Sequence, residues 1–230
     1  TRITEGVVRS IAFYNSETFV LRDGVPVRLV VPNDAAARIV GPWLVVRLRS
    51  AWDIGGRTYP AGALLAAKTQ AFLDGKRTFE VLFEPTARTA LQRDWSATRD
   101  TIVLDVLDNV RNRIWVVMPA DDGWRRQEIA LPSLGAASAR PVDRYASDQL
   151  FITYQDFLTP PTLFIGAARQ PVEKLKSMPS FFDASRMTVQ QLEATSRDGT
   201  RVPYFVIGPV GLKNAPTMLY GYGGFENALE

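Results

Sequence analysis

The chain has 230 residues, of which 46% are apolar and 22% are charged, so its composition is that of an ordinary globular protein and not of a disordered or fibrous one. It contains no cysteine and no histidine, which excludes disulfides, thiolate nucleophiles, cysteine zinc sites and the usual histidine base of serine hydrolases within these residues. The 27 basic and 24 acidic residues are interleaved, and no apolar run is long enough to span a bilayer. We therefore expect no nucleic-acid partner, no membrane partner, no metal and no other cofactor.

Up to about residue 177 the sequence predicts short strands separated by turns. Asp-Gly or Gly-Gly pairs at residues 23–24, 55–56, 74–75 and 122–123 mark the turns. The predicted strands are Val7–Phe13, Thr18–Arg22, Val25–Val31, Trp43–Leu48, Ala63–Ala67, Phe79–Phe83, Ile102–Asp108, Ile114–Met118, Glu128–Leu131, Leu150–Tyr154 and Thr162–Gly166. No amphipathic helix of ten or more residues is predicted, and Thr69–Asp74 fits one short helical turn. This pattern is typical of a sandwich, a barrel or a propeller.

A weak internal repeat favours the propeller. Leu44–Leu48, Ile102–Val106 and Leu150–Tyr154 each alternate apolar and other residues and are followed by a polar turn residue. The segments start 58 and 48 residues apart, close to the spacing of about 40–50 residues between propeller blades. The alternative is that any antiparallel hairpins align this well.

The pattern changes after residues 174–176. Ser177–Arg186 is predicted to be a linker, and Val189–Ala194 and Val202–Ile207 are predicted to form a hairpin around a turn that contains Gly199. A further strand, Thr217–Tyr220, is predicted to run into a glycine-rich loop at residues 221–225. Such a loop can present backbone N–H groups to a ligand.

At this loop the sequence resembles the prolyl oligopeptidase family of serine peptidases. The matching stretches are LFEPT (82–86), LDNVR (107–111), DFLTP (156–160), FDAS (182–185), ATSRDGTRVPYF (194–205) and LYGYGGF (219–225). They keep the order of the family, and the last two are the specific ones. The resemblance implies a seven-bladed β-propeller that caps an α/β-hydrolase domain, with the active site between them.

The resemblance places residues 1–178 in the later blades of a partial propeller and residues 179–230 in a linker and the first strands of the hydrolase domain. We therefore expect a mostly β chain that holds about half of the propeller, as an excised piece of a longer protein. Exposed blade edges are expected to make this piece self-associate.

Two residues of the glycine-rich loop match functional positions of the family. Tyr222 matches the tyrosine of the oxyanion hole, where a phenol that stays protonated at neutral pH can donate to the developing oxyanion. Phe225 matches a residue that lines the pocket for the proline side chain of the substrate, and its presence favours specificity for proline over basic residues. Without the family motif, a packed surface aromatic is the simpler interpretation of Tyr222.

Other conspicuous residues are interpreted as structural. Asp105, Asp108 and Asp156 lie at predicted strand ends, where capping of blade corners is the simpler role than catalysis. The five tryptophans are interpreted as packing within or between blades: Trp43, Trp52, Trp95, Trp115 and Trp124.

The resemblance implies that the longer protein is a serine-type oligopeptidase that cleaves short proline-containing peptides, while the propeller restricts access. The serine, acid and histidine of the family lie downstream of the loop, so the chain alone is expected to be inactive. The alternative function is a non-catalytic propeller that binds a protein partner. No signal peptide is visible, and the compartment stays open between cytoplasm and periplasm.

Overall fold

A computed structural model describes residues 3–4, 6–92, 95–132 and 134–221 of the protein. These residues form antiparallel strands almost throughout, as the alternating sequence predicts. The chain divides into two compact units, residues 1–91 with 119–125 and residues 92–118 with 126–230.

The first sheet of the first unit has β3 at its centre, paired with the other three strands. Its strands are β1 (Ile3–Thr4), β2 (Val8–Ala12), β3 (Asn15–Arg22) and β4 (Val25–Arg28). Arg22 pairs with Val25, so Asp23 and Gly24 form the two-residue turn between β3 and β4. Both turn residues have positive φ, 52° and 82°, which is the geometry that Asp-Gly favours.

The second sheet runs in the order β5, β6, β9, β10 and carries the core of the first unit. The remaining elements of the first unit, in chain order, are β5 (Ala36–Val40), β6 (Trp43–Arg47), β7 (Trp52–Ile54), β8 (Arg57–Tyr59), β9 (Leu64–Lys68), α1 (Thr69–Leu73), β10 (Glu80–Phe83) and the short β11 (Thr89–Leu91). Of these, β7 and β8 pair with each other in a separate two-stranded sheet. Leu44, Val46 and Leu65 on the two central strands are completely buried. They belong to one apolar cluster with Phe72 and Phe79.

The five-residue α1 agrees with the short helical turn predicted at Thr69–Asp74. No helix in the described part of the chain is long and apolar enough to cross a membrane.

The second unit contains two further sheets and a separate hairpin. Their strands are β12 (Ser96–Ala97), β13 (Ile102–Asp108), β14 (Arg111–Ala120), β15 (Gly123–Glu128), β16 (Ala136–Pro141), β17 (Leu150–Gln155), β18 (Thr162–Gly166), β19 (Glu173–Ser177), β20 (Met187–Thr195) and β21 (Arg201–Pro209). β13 lies between β12 and β14, and β16 to β19 pair in chain order. One buried cluster joins these two sheets, with Ile114 and Val116 from one and Leu150 and Ile152 from the other.

The predicted repeat is confirmed by strand position. Leu44–Leu48 falls mostly on β6, Ile102–Val106 on β13 and Leu150–Tyr154 on β17. β6 lies between β5 and β9, β13 lies between β12 and β14, and β17 lies between β16 and β18. The three segments therefore hold equivalent places in three antiparallel sheets, because alternation selects the central strands whose side chains reach a core.

The predicted hairpin after the linker is also confirmed, as β20 and β21 paired from Met187 with Pro209 to Thr195 with Arg201. Gly199 has a φ of 86° in the turn, where a glycine is favoured. The Ser196 hydroxyl and the Thr200 N–H donate to the exposed Asp198 carboxylate, and these bonds lower the pKa of Asp198 to about 2. The turn is thus closed by the same polar residues that marked it in the sequence.

Two predicted strands and one predicted linker boundary are wrong, and the ends of several other strands differ by up to three residues. The strand predicted at Glu128–Leu131 shares only Glu128 with β15, which starts at Gly123 because the turn after β14 takes only residues 121–122. Thr217–Tyr220 pairs with none of the described residues and is not a strand, since a strand needs a hydrogen-bonded neighbour. The linker starts after Ser177, which is the last residue of β19 and shares a 2.9 Å hydroxyl contact with Thr162.

Candidate functional site

The two residues predicted to act on the substrate, Tyr222 and Phe225, lie outside the described residues. The segment that leads to them is described as far as Gly221 and is highly exposed, with Leu219 98% accessible. The described residues that lead to the glycine-rich loop are those of the hairpin β20–β21, which contacts the sheets before it.

The hairpin contacts the two-residue turn between β13 and β14, and we call this contact the hairpin junction. Gln191 of β20 donates through Nε2 to the backbone carbonyl of Asn109 at 2.9 Å. Arg111 Nε donates to the other side-chain atom, Gln191 Oε1, at 2.6 Å. Asn109 Nδ2 donates to Glu193 Oε1 at 3.3 Å, and Glu193 is also ion-paired with Arg201 across the hairpin. One glutamine amide thus uses both its donor and its acceptor on a single turn.

An aromatic pair supports the same junction. Phe205 of β21 lies with its ring centroid 5.3 Å from that of Phe157, at an interplanar angle of 52°. Both rings face a cleft of about 180 Å³ whose other apolar walls are Val110, Leu134 and Gly135. Tilted rings at this distance attract one another in addition to the apolar area that they bury.

A second cleft of about 190 Å³ shares Asn112, Ala136 and Gln155 with the first. Its remaining walls include Gln92, Ser138 and Thr153, and the Asn112 amide donates to Gln92 Oε1. These are neutral donors and acceptors, so the cleft can hydrogen-bond a ligand. Gln92 follows β11, and the other named residues come from β14, β16 and β17. Sequence reasoning missed them because amides far apart in the chain carry no local signal.

Tyr154 and Asp156 form a buried structural pair beside these clefts. The Tyr154 hydroxyl donates to Asp156 Oδ2 at 2.7 Å, and Asp156 Oδ1 accepts from Leu158 N at 2.7 Å and from Thr159 N at 2.6 Å. Burial and the hydrogen bond to Asp156 raise the pKa of Tyr154 well above its usual range. Tyr154 therefore stays protonated at all ordinary pH values, and the predicted corner-capping role of Asp156 is confirmed.

The two other predicted capping aspartates differ. Asp108 ends β13 and is ion-paired with Arg113 Nε at 2.9 Å, consistent with a structural role. Asp105 is not at a strand end: it lies inside β13, is 6% exposed, and accepts a hydrogen bond from the backbone N–H of Ala139 at 3.3 Å. It links β13 to β16, because a buried carboxylate needs a donor and the neighbouring sheet supplies one.

The tryptophans pack as predicted. Trp95 is 2% exposed, and Trp43 and Trp124 lie 4.8 Å apart between ring centroids. Trp52 contacts Phe79 at 5.3 Å, and the guanidinium of Arg126 lies 4.0 Å above the Trp115 ring. In the described ranges, no group of three or more carboxylates is gathered in a way that could hold a metal ion.

Comparison with known proteins identifies the family to which this architecture belongs. The family described as prolyl oligopeptidase, N-terminal beta-propeller domain, matches residues 56–175, just over half of the chain. The chain belongs to the prolyl oligopeptidase family. The repeated sheets are accordingly propeller blades. That residues 179–230 begin an α/β-hydrolase domain stays a prediction.

Relatives extend the similarity beyond the matched propeller residues. An uncharacterized peptidase of Sinorhizobium fredii, y4nA, is 34% identical over 95% of this chain and 31% of its own length. The prolyl endopeptidase of Elizabethkingia miricola is 31% identical over 45% of this chain and 15% of its own. The chain thus spans about a third of the length of the first of these curated relatives.

A solved structure agrees in fold. The structure of a post-proline cleaving enzyme from Rickettsia typhi superposes with a TM-score of 0.71 at 24% identity, over 87% of this chain and 30% of the other. This likeness supports the propeller fold of the chain.

Proposed function

We propose that the protein containing this chain is a serine-type oligopeptidase that cleaves short peptides after proline, with the propeller restricting access to its active site. The observation that carries the proposal is the extent of the similarity to the Sinorhizobium peptidase, over 95% of the chain. It therefore includes residues beyond position 175, where the family's propeller match ends. A propeller that only binds a partner needs neither the hairpin β20–β21 nor the glycine-rich loop.

Within this function, Tyr222 donates its phenol proton to the oxyanion that forms on the scissile carbonyl. A phenol suits this role because its pKa of about 10 keeps it protonated at neutral pH. Phe225 supplies an apolar wall against which the proline ring of the substrate packs. The proposal assigns no nucleophile and no base to these 230 residues, which contain no histidine.

The test substitutes both residues in the intact protein. Tyr222→Phe keeps the ring and removes the donor, so kcat should fall by about 10²–10³ while KM changes little, because the bond strengthens only as charge develops. Phe225→Ala should raise KM for proline substrates, since an apolar wall binds ground and transition states alike. Tyr220→Phe is the matched control, because it removes a hydroxyl of the same kind two residues earlier in the same motif.

Three outcomes would contradict the proposal. An intact protein without activity on a proline-containing chromogenic peptide would refute the specificity, and an unchanged kcat in Tyr222→Phe would refute the oxyanion role. The 230-residue chain alone should cleave nothing. Inhibitor-sensitive turnover by that chain would overturn the assignment of the catalytic residues to positions outside it.

A further inference from the structure

Val110 has a backbone conformation that its side chain disfavours. Asp108 pairs with Arg111, so Asn109 and Val110 alone form the turn between β13 and β14, with φ of 48° and 61°. In such a turn both central residues need positive φ, and the second is commonly glycine. A β-branched residue in this region is a genuine outlier. In the described part of the chain, Val110 is the only β-branched residue with positive φ.

Two other turns of the chain show the unstrained solution. Asp23-Gly24 and Gly55-Gly56 also connect paired strands with two residues of positive φ, and each has glycine at the second position. The Asn109-Val110 turn departs from them in sequence and in position, because it lies at the hairpin junction. Strain of this kind persists only where the surroundings hold it in place.

The contacts of the Asn109-Val110 turn show which residues surround it. The backbone carbonyl of Asn109 accepts a hydrogen bond from Gln191, and the side-chain amide of Asn109 donates one to Glu193. Gln191 and Glu193 both lie on β20. The Val110 side chain lines the cleft that Phe157 and Phe205 also face. A glycine at position 110 would remove the strain and would also remove the apolar wall beside Phe205.

The hairpin itself depends on this support. A two-stranded hairpin is at best marginally stable in water. Its side chains are largely exposed, with Leu192, Val206 and Ile207 each more than 40% accessible. The hydrogen bonds of Gln191 and the Phe157–Phe205 pair connect the hairpin to the blade.

We propose that the Asn109-Val110 turn is a clamp that positions the hairpin β20–β21 on the propeller, and that the side chain of the strained valine is part of the clamp. Gln191 hydrogen-bonds the Asn109 carbonyl and Arg111 through its side-chain amide, and Val110 lines the same cleft as Phe205. This inference concerns the docking of the hairpin and does not depend on the proposed peptidase activity.

Hydrogen–deuterium exchange of the 230-residue chain tests the clamp. In Val110→Gly, the amides of β20 and β21 should exchange about tenfold faster or more, because an undocked hairpin frays, while those of β17 and β18 keep their protection. Arg169→Gly is the matched control: Arg169 has a φ of 62° and belongs to no contact of the hairpin junction described above. It should relieve strain without changing exchange in the hairpin.

Gln191→Glu gives a second, independent variant. Glutamate can accept from Arg111 but cannot donate to the Asn109 carbonyl, so exchange in the hairpin should again accelerate. The proposal is overturned if Val110→Gly leaves hairpin exchange unchanged, or if Gln191→Glu protects the hairpin as well as glutamine does. Equal acceleration in β17–β18 would also overturn it, because the effect would then be global unfolding.

Discussion

Replacing Asp148 by alanine should weaken the connection between the last two blades. Asp148 lies in the loop between β16 and β17 and accepts three hydrogen bonds from the segment between β12 and β13. The donors are Thr98 Oγ1 at 2.6 Å, Asp100 N at 2.9 Å and Arg99 Nη2 at 3.1 Å. The alanine variant removes all three of these bonds.

The expected loss follows from the exposure of each donor. A hydrogen bond to a charged group contributes about 1.5–3 kcal/mol when it is buried. Thr98 is 2% exposed, so its bond should count nearly in full, whereas the Arg99 side chain is 53% exposed and its ion pair contributes little. Thr98 also contacts Thr101 Oγ1 at 2.6 Å, which softens the loss. We expect Asp148→Ala to lower the free energy of unfolding by about 2–3 kcal/mol at pH 7.

The effect should depend on pH in a defined direction. Burial by itself would raise the pKa of Asp148, but the hydrogen bonds from Thr98 and Asp100 and the charge of Arg99 outweigh it and hold the pKa below its ordinary value. A carboxylate with a lowered pKa in the folded state stabilises the fold fully above the unfolded pKa of about 3.9, and this stabilisation is lost as pH falls through the folded pKa. The difference between wild type and Asp148→Ala should therefore shrink below about pH 4.

Urea unfolding at pH 7 and pH 3, followed by circular dichroism and tryptophan fluorescence together, measures the difference. Asp122→Ala is the matched control, because Asp122 is 73% exposed and pairs with Arg125 only at 3.5 Å. It should change stability by less than about 0.5 kcal/mol. The reasoning is refuted if Asp148→Ala costs no more than the control, or if its cost is the same at both pH values.

Two further predictions concern packing and association. Gly135→Ala should destabilise the chain by about 1–3 kcal/mol in the same urea assay, since a Cβ there would lie 2.4 Å from the Gln155 carbonyl oxygen and 2.5 Å from the Tyr154 ring. Gly208→Ala, whose Cβ meets nothing within 4 Å, should be neutral or slightly stabilising, and equal effects of the two would contradict the packing argument. We also expect the 230-residue chain to self-associate, because the hairpin exposes apolar side chains such as Val202 and Val206. Sedimentation velocity checks this, and a clean monomer at high concentration would contradict it.

Local chemistry determined much of the fold from the sequence by itself. Alternating apolar residues identified β6, β13 and β17, because these central strands bury one or both faces. Asp-Gly and Gly-Gly pairs located turns, because glycine reaches positive φ without strain. The motif around Tyr222 and Phe225 gave the expected site, and it remains a prediction.

The edge strands were decided by tertiary structure. β5, β16 and β19 were missed, because their sequences AARIV, AASARP and EKLKS lack a clear alternation. Such segments become strands because the neighbouring strands β6, β17 and β18 offer free hydrogen-bonding groups to them, and this pairing does not depend on an alternation in the segment's own sequence. The same reason explains Thr217–Tyr220, which has strand-like residues but no described partner.

The contacts that join separate elements also could not be predicted from the sequence. Asp105 looked like a corner residue, yet register buries it inside β13, where it reaches Ala139 of the next blade. The hairpin junction unites Asn109 with Gln191, 82 residues apart, through a turn whose valine local propensity would reject. Secondary-structure propensity depends on a residue and its neighbours in the chain. The places of Asp105 and Val110 are instead set by the packing of one element on another, and its free energy can exceed the cost of a strained backbone.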